Sequence, residues 1–419
     1  MDIIPTKELL YAMAVVIVTI VYFAFTMAPT AKITKVIEPT KTTKINPLPK
    51  KLKCFRIRGI PIGTTKESLE EELMRCLPTY ESDCSITLAR SSSATLIATL
   101  NSFETPNLPY TIDHDFLGVT PLFEGDEPLV DIITIPGLGS HPIGSFKGKD
   151  SVWIRDFLPQ DLPSARILAY GYNTSILDRN AKQSISDLAK AFLSSVIAFR
   201  SVTKALHIAK ISFRNPDNVD FFKSSYGLMF FGVPNSGLNN KALMQIVAGG
   251  LNEQMIKDLQ VADEDHEPTQ FLSTIKQNFK QCCKEGRFQI RSYYEQKETQ
   301  MVRKLDNGLL VKDGPLCFMV SKSSACDIGI NDNSCYEDGL LRDHSDLIKF
   351  ADQFDDDYRK VLHGLKGLVD SASNVIKARF ASIKKLSSVE KRYWGDLNVP
   401  PYGNFKETKK IQTAVEGTL

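Results

Sequence analysis

Side chains able to do covalent or acid–base chemistry are sparse in this chain. Its 419 residues hold six His, eight Cys and no Gly-x-Ser-x-Gly word. The Cys are scattered, with no Cys-x-x-Cys pair and no His at ligand spacing, so they read as reduced thiols; no metal or cofactor is expected. His344 stands in Asp343-His344-Ser345-Asp346 ahead of a closing helix, where Asp343 and Ser345 also read as helix caps. Glu295 follows an apolar strand pattern over Phe288–Tyr293. Gly137-Leu138-Gly139-Ser140 is a glycine-rich turn after another such pattern, and a plain tight turn would look the same. A Gly-x-Ser-x-Gly word would place a serine on a strained strand-to-helix turn, ready to attack an acyl carbonyl. Ser140, Ser145 and Ser236 lie near turns, but none has the pair of flanking glycines that lets a serine take up that backbone.

The elements that must carry these residues read as follows. Leu129–Ile135 is a continuous apolar run, as a strand buried on both faces requires. Ala165–Ala169, Gly227–Phe231, Phe288–Tyr293 and Pro315–Val320 read as further strands. Helical spacing covers Ser184–Arg200, Lys241–Leu259, Thr269–Cys283 and Asp355–Leu368. Strand–helix alternation over 128–369 predicts a mostly parallel sheet covered on both faces, hence an α/β class. Residues 54–127 form a small α+β unit: a strand at Phe55–Ile60, a helix at Thr65–Leu77 opened by a cap-like Thr, then strands at Ser85–Arg90 and Ala94–Leu100. Such a β-α-β-β unit hints at a ferredoxin-like or RNA-recognition module. RNA binding needs paired aromatics on a central strand, and none are present. Residues 370–419 read as a helix and a polar tail.

Charge supports the exclusion of nucleic acid. Lys+Arg 51 against Asp+Glu 49 leaves only +2, yet residues 28–53 hold seven Lys and one Glu, a local +6. That stretch follows a short tail, 1–8, and Leu9–Ala28, 20 residues without a charge. Twenty residues of helix span about 30 Å, the thickness of a bilayer core, so 9–28 is expected to be a single transmembrane helix. A cleaved signal peptide would have a shorter apolar stretch and a basic start. The lysines on the C-terminal side, in the Pro/Thr-punctuated linker 29–53, place the body in the cytosol and suit contact with anionic headgroups.

Six words in fixed order carry a resemblance. They are Asp131-Ile132-Ile133 leading to Gly137-Leu138-Gly139-Ser140-His141-Pro142, Trp153-Ile154-Arg155-Asp156-Phe157-Leu158-Pro159, and Ala165-Arg166-Ile167-Leu168 with Tyr170-Gly171-Tyr172. Phe230-Phe231-Gly232-Val233-Pro234-Asn235-Ser236-Gly237, Tyr294-Glu295 and Asp343-His344-Ser345-Asp346-Leu347-Ile348-Lys349-Phe350 complete them. Together they resemble the lipase-like, serine-active-site-containing family of α/β-hydrolases, common in fungi. The resemblance covers about residues 128–369, and the Phe55–Phe103 unit looks like the leader of fungal members.

The resemblance implies His344 as general base and Glu295 as the acid that orients it, an ordinary surface carboxylate being the competing reading. It makes Gly137, Leu138, Gly139 and Ser140 the oxyanion loop. It also implies an acyl-ester or phospholipid substrate and a place at the endoplasmic reticulum or mitochondrial membrane. One part departs from the family. After Ala198-Phe199-Arg200 the chain runs straight into Ser201-Val202-Thr203, where the family has a strand and a serine elbow. The expected fold is therefore α/β-hydrolase-like but lacks the elbow strand, leaving an opening beside Gly227–Phe231 and a poorly folded body. Three functions follow as expectations: a membrane-anchored serine esterase or lipase whose elbow is lost from this sequence, an inactive membrane-anchored scaffold, or a body that only carries a working 54–127 unit.

Overall fold

The computed structural model describes residues 14–20, 52–77, 86–91, 94–149, 151–176, 181–204, 221–238, 241–261, 268–286, 288–305, 310–330 and 335–396. The first strand, β1, is Ala14–Ile20. A small antiparallel sheet follows from β2 (Lys53–Pro61), β3 (Ile86–Arg90), β4 (Thr95–Ser102) and β5 (Thr111–Asp113), in the order β3-β4-β2-β5. Helix α1 (Lys66–Cys76) covers it. Thr65 and Ser68 close a capping box at its start, and Leu69 and Leu73 are buried with Ile57, Ile60 and Leu100.

The chain then enters the main sheet through β6 (Gly118–Glu124), β7 (Val130–Ile135) and β8 (Ala165–Gly171). Two short helices, α2 (Trp153–Asp156) and α3 (Leu158–Asp161), lie between β7 and β8, and α4 (Ile185–Lys204) follows β8. Next come β9 (Ser225–Phe231), α5 (Lys241–Val247), α6 (Glu253–Asp258), α7 (Gln270–Gly286) and β10 (Gln289–Glu295). The short strands β11 (Thr299–Gln300), β12 (Arg303–Lys304), β13 (Leu310–Val311) and β14 (Leu316–Cys317) pair antiparallel as β11 with β14 and β12 with β13. Helix α8 (Lys322–Cys326), strand β15 (Cys335–Leu340) and the long helix α9 (Asp356–Asp396) end the described chain.

The main sheet has the order β15-β10-β9-β1-β7-β8-β6, parallel except for the antiparallel edge strand β6. Alternate residues of β7 face opposite layers, as the two-residue period demands. Ile132 joins Tyr358, Leu365, Leu368 and Ile376 of α9, while Ile133 joins Val196 and Phe192 of α4. Within the sheet, Asp131 of β7 is fully buried and takes two bonds from Arg166 of β8, at 2.7 and 3.0 Å. The small sheet is locked to the body by Arg155, whose buried guanidinium reaches Asn101 at 3.2 Å and lies 3.8 Å from the Cys54 sulfur. Burial pushes that thiol up to about 11.

Several expectations are corrected. The sheets are mixed: an antiparallel strand edges the main sheet, and the small sheet and both strand pairs are antiparallel throughout. Pro315–Val320 contributes only Leu316–Cys317, to a separate pair, while β15 takes the edge of the main sheet. The transmembrane helix is overturned as well. Among the described residues no helix is long and apolar enough to cross a membrane, and residues 14–20 are a strand. Six of those seven residues, Val15 to Ile20, are β-branched, a composition that favours the extended backbone. An uncharged run suits a central parallel strand as well as it suits a bilayer. The remainder of 9–28, and 29–51, lie outside the described residues.

The strand-sized opening is overturned too. β1 runs parallel between β7 and β9, where the resemblance led to the expectation of a missing strand, pairing Val16 with Ile132 on one side and with Gly227 on the other. Both rows of backbone groups are thereby hydrogen-bonded, which removes the reason for expecting a poorly folded body.

Candidate active site

Parallel strands bring their carboxyl ends to one edge, where sites of open α/β sheets form. Here that edge carries the turn after β7, Gly232 after β9, Glu295 at the end of β10, and His344 shortly after β15. Glu295 lies opposite Leu340 in the β10–β15 register, so the two loops leave the sheet side by side.

His344 opens a short 3-10 turn, His344–Asp346, whose N-cap is Asp343; the cap carboxylate accepts the Asp346 N–H at 2.9 Å. The approach to this turn is fixed by Arg342, which donates to Asp357 at 2.9 Å and to the Lys349 carbonyl at 3.0 Å, and also pairs with Asp355. The imidazole rests on Gly232. A Cβ at Gly232 would lie 2.9 Å from His344 Cε1 and 3.0 Å from Nδ1, and its φ of +58° is the left-handed region. Glycine is thus required twice over at this point.

Glu295 meets this ring. Its Oε1 lies 3.6 Å from His344 Nδ1, and the two side chains are 0% and 2% exposed. Both carboxylate oxygens have donors: Oε1 accepts the Val320 N–H at 2.7 Å and Oε2 accepts the Thr299 hydroxyl at 3.1 Å. The structure therefore brings together the two residues singled out as base and acid, and places Glu295 in the interior, not at the surface. Neither Thr299 nor Val320 was found from sequence. Thr299 is one polar residue in a polar loop, and Val320 contributes only its backbone, so no local signal marks either.

The Gly137–Ser140 turn is tight and stitched to the chain after β8. Gly139, at φ +74°, donates its N–H to the Thr174 carbonyl at 2.7 Å, and the Ser140 N–H reaches Gly137 at 3.3 Å. Thr174 Oγ1 donates to the Ser140 carbonyl at 2.6 Å, Tyr172 Oη donates to Pro136 at 2.9 Å, and Leu138 is buried among apolar side chains. The N–H groups of Gly139 and Ser140 are thus already committed inside the protein. His141 follows, with Nδ1 accepting the N–H groups of Ile143 and Gly144 at 3.1 and 3.0 Å. Its Nε2 is 2.7 Å from the His114 carbonyl, so the neutral ring with a proton on Nε2 satisfies every contact. Burial, reinforced by His114, holds its pKa below the usual histidine value against the opposing His114 carbonyl and Asp115.

The chain leaving β1 reads Val21-Tyr22-Phe23-Ala24-Phe25, without Ser, Cys or Gly, and these residues lie outside the described ones. Of the alternative serines, Ser145 donates its hydroxyl to the His141 carbonyl at 2.8 Å. Ser236 donates to Asp327 at 3.1 Å and accepts from Lys276, which also pairs with Asp327. The trio ties the turn after β9 to Lys276 of α7 and to Asp327. Ser140 is buried. Among the described residues no cluster of three or more His, Cys, Asp or Glu could hold a metal.

No protein-family model matches the chain, and neither curated proteins nor solved structures include one found to be similar to it.

Proposed function

We propose that this chain is of the serine esterase or lipase type, retains the acid–base half of the machinery, and is silent because the nucleophile is absent. One observation carries the reading: Glu295 and His344, buried and 3.6 Å apart, meet at the carboxyl ends of parallel strands from loops far apart in sequence. That is the arrangement in which a carboxylate orients an imidazole for proton transfer. Without an attacking serine, catalysis falls by orders of magnitude. The substrate class proposed with this reading is an acyl ester or phospholipid. A fluorophosphonate probe on the purified full chain tests this: no labelling is expected, and labelling of Ser140, Ser145 or Ser236 would overturn it.

A non-catalytic scaffold is the second reading. It is favoured by the closed Gly137–Ser140 turn, whose N–H groups serve the fold. In either case, contact with anionic lipid is proposed through the +6 stretch 28–53, at the endoplasmic reticulum or mitochondrial membrane. Flotation with phosphatidylserine vesicles at low salt, lost at high salt, is the expected result.

A further inference from the structure

The acid and the base come from separate loops, and neither loop alone fixes their separation. Thr299 touches both. Its hydroxyl donates to Glu295 Oε2 at 3.1 Å, and the same oxygen accepts the His344 backbone N–H at 2.9 Å. The residue is buried, and it opens β11, paired with Cys317 of β14. Val320, three residues past Cys317, supplies the donor to Oε1. Thr299 within this strand pair and Val320 just after it therefore present one donor each to the carboxylate. With one donor on each oxygen, the carboxylate cannot turn without losing a bond, and Oε1 is left facing His344 Nδ1.

We propose that Thr299 is the positioning residue of the Glu295–His344 pair, holding carboxylate and imidazole in register through a single hydroxyl. The proposal rests on reading that pair as acid and base. The 3.6 Å separation exceeds an ordinary N–H···O bond, and such contacts in unliganded sites tighten on binding. A tie from the carboxylate to the backbone of the base keeps the gap from widening.

The test is nuclear magnetic resonance of the full-length chain carrying ring-15N histidine, with His344 assigned by loss of its signal in His344→Gln. In wild type, and in Thr299→Ser, the Nδ1-bound proton is expected downfield, with Nε2 unprotonated. In Thr299→Val, equal in size but without the hydroxyl, that resonance is expected to move upfield or vanish while the chain still melts cooperatively. A wild-type spectrum in Thr299→Val, or equal disturbance in Thr299→Ser, overturns the proposal. Should Thr299→Val fail to fold, Thr299→Cys decides: an intermediate shift supports the role and an unshifted signal refutes it. Failure of the functional reading appears elsewhere, as probe labelling of a serine.

Discussion

Replacing Gly232 by Ala perturbs the site at its floor. Two costs follow from the structure. An L-residue at φ +58° sits in the left-handed region, a penalty of about 1–2 kcal/mol. The new Cβ would also stand 2.9 Å from His344 Cε1 and 3.1 Å from Leu347 Cδ2. Ordinary contacts begin near ~3.5 Å, so the ring must retreat by roughly half an ångström, and overpacking of this kind costs about 1–3 kcal/mol. The sum, about 2–5 kcal/mol, is a large share of a typical 5–15 kcal/mol stability. Gly118→Ala separates the two terms, because Gly118 has φ +82° with nothing within 4 Å of its Cβ. It should lose only the backbone penalty. Urea unfolding of both variants, with the His344 ring resonances recorded alongside, measures the difference. Gly232→Ala should be the less stable by about 1–3 kcal/mol and should shift His344, whereas Gly118→Ala should leave it in place. Equal stability loss, or an unmoved His344 signal, would refute the close contact.

Val16→Pro removes an N–H and locks φ at about −65° within β1, so backbone amides of Ile132 and Gly227, its neighbours in register, should exchange faster in the full chain; unchanged exchange would mean that β1 is not the central strand. His141 is held neutral in the fold, with its pKa below the unfolded value near ~6.5, so its contribution is complete above that pH and is lost as pH falls through the folded value. Unfolding of wild type across pH 7 to 4 should show this loss, and His141→Asn, whose side-chain oxygen can accept the same N–H groups, should show less of it. Arg166→Met strips Asp131 of its two-bond partner and leaves only Arg200, 3.6 Å away; since breaking a buried pair costs about 3–5 kcal/mol, a loss of about 2–4 kcal/mol is expected in urea unfolding. A loss under 1 kcal/mol would show that Arg200 compensates.

The sequence by itself determined those features whose signal is local. Leu129–Ile135 reads as a buried strand because burial on both faces demands unbroken apolar residues, and β7 occupies that run. His344 and Glu295 were legible as words, and it was the resemblance, with no local signal, that paired them. Helix α9 was legible as two helices, over Asp355–Leu368 and after residue 370; the structure joins them into one that runs to Asp396, since Ala372 and Ile376 continue its buried face. Strand β15 was invisible: Cys-Tyr-Glu-Asp-Gly-Leu is polar because an edge strand meets only one neighbour and is partly exposed. Only the tertiary structure decided the rest. The uncharged run holding Ala14–Ile20 satisfies a bilayer and a central strand alike, and what separates them is pairing with β7 and β9, more than 100 residues away. Thr299, Val320 and Gly232 reached the site in the same way, because a hydrogen-bond donor or an absent Cβ matters through what packs against it, and packing partners are chosen by topology.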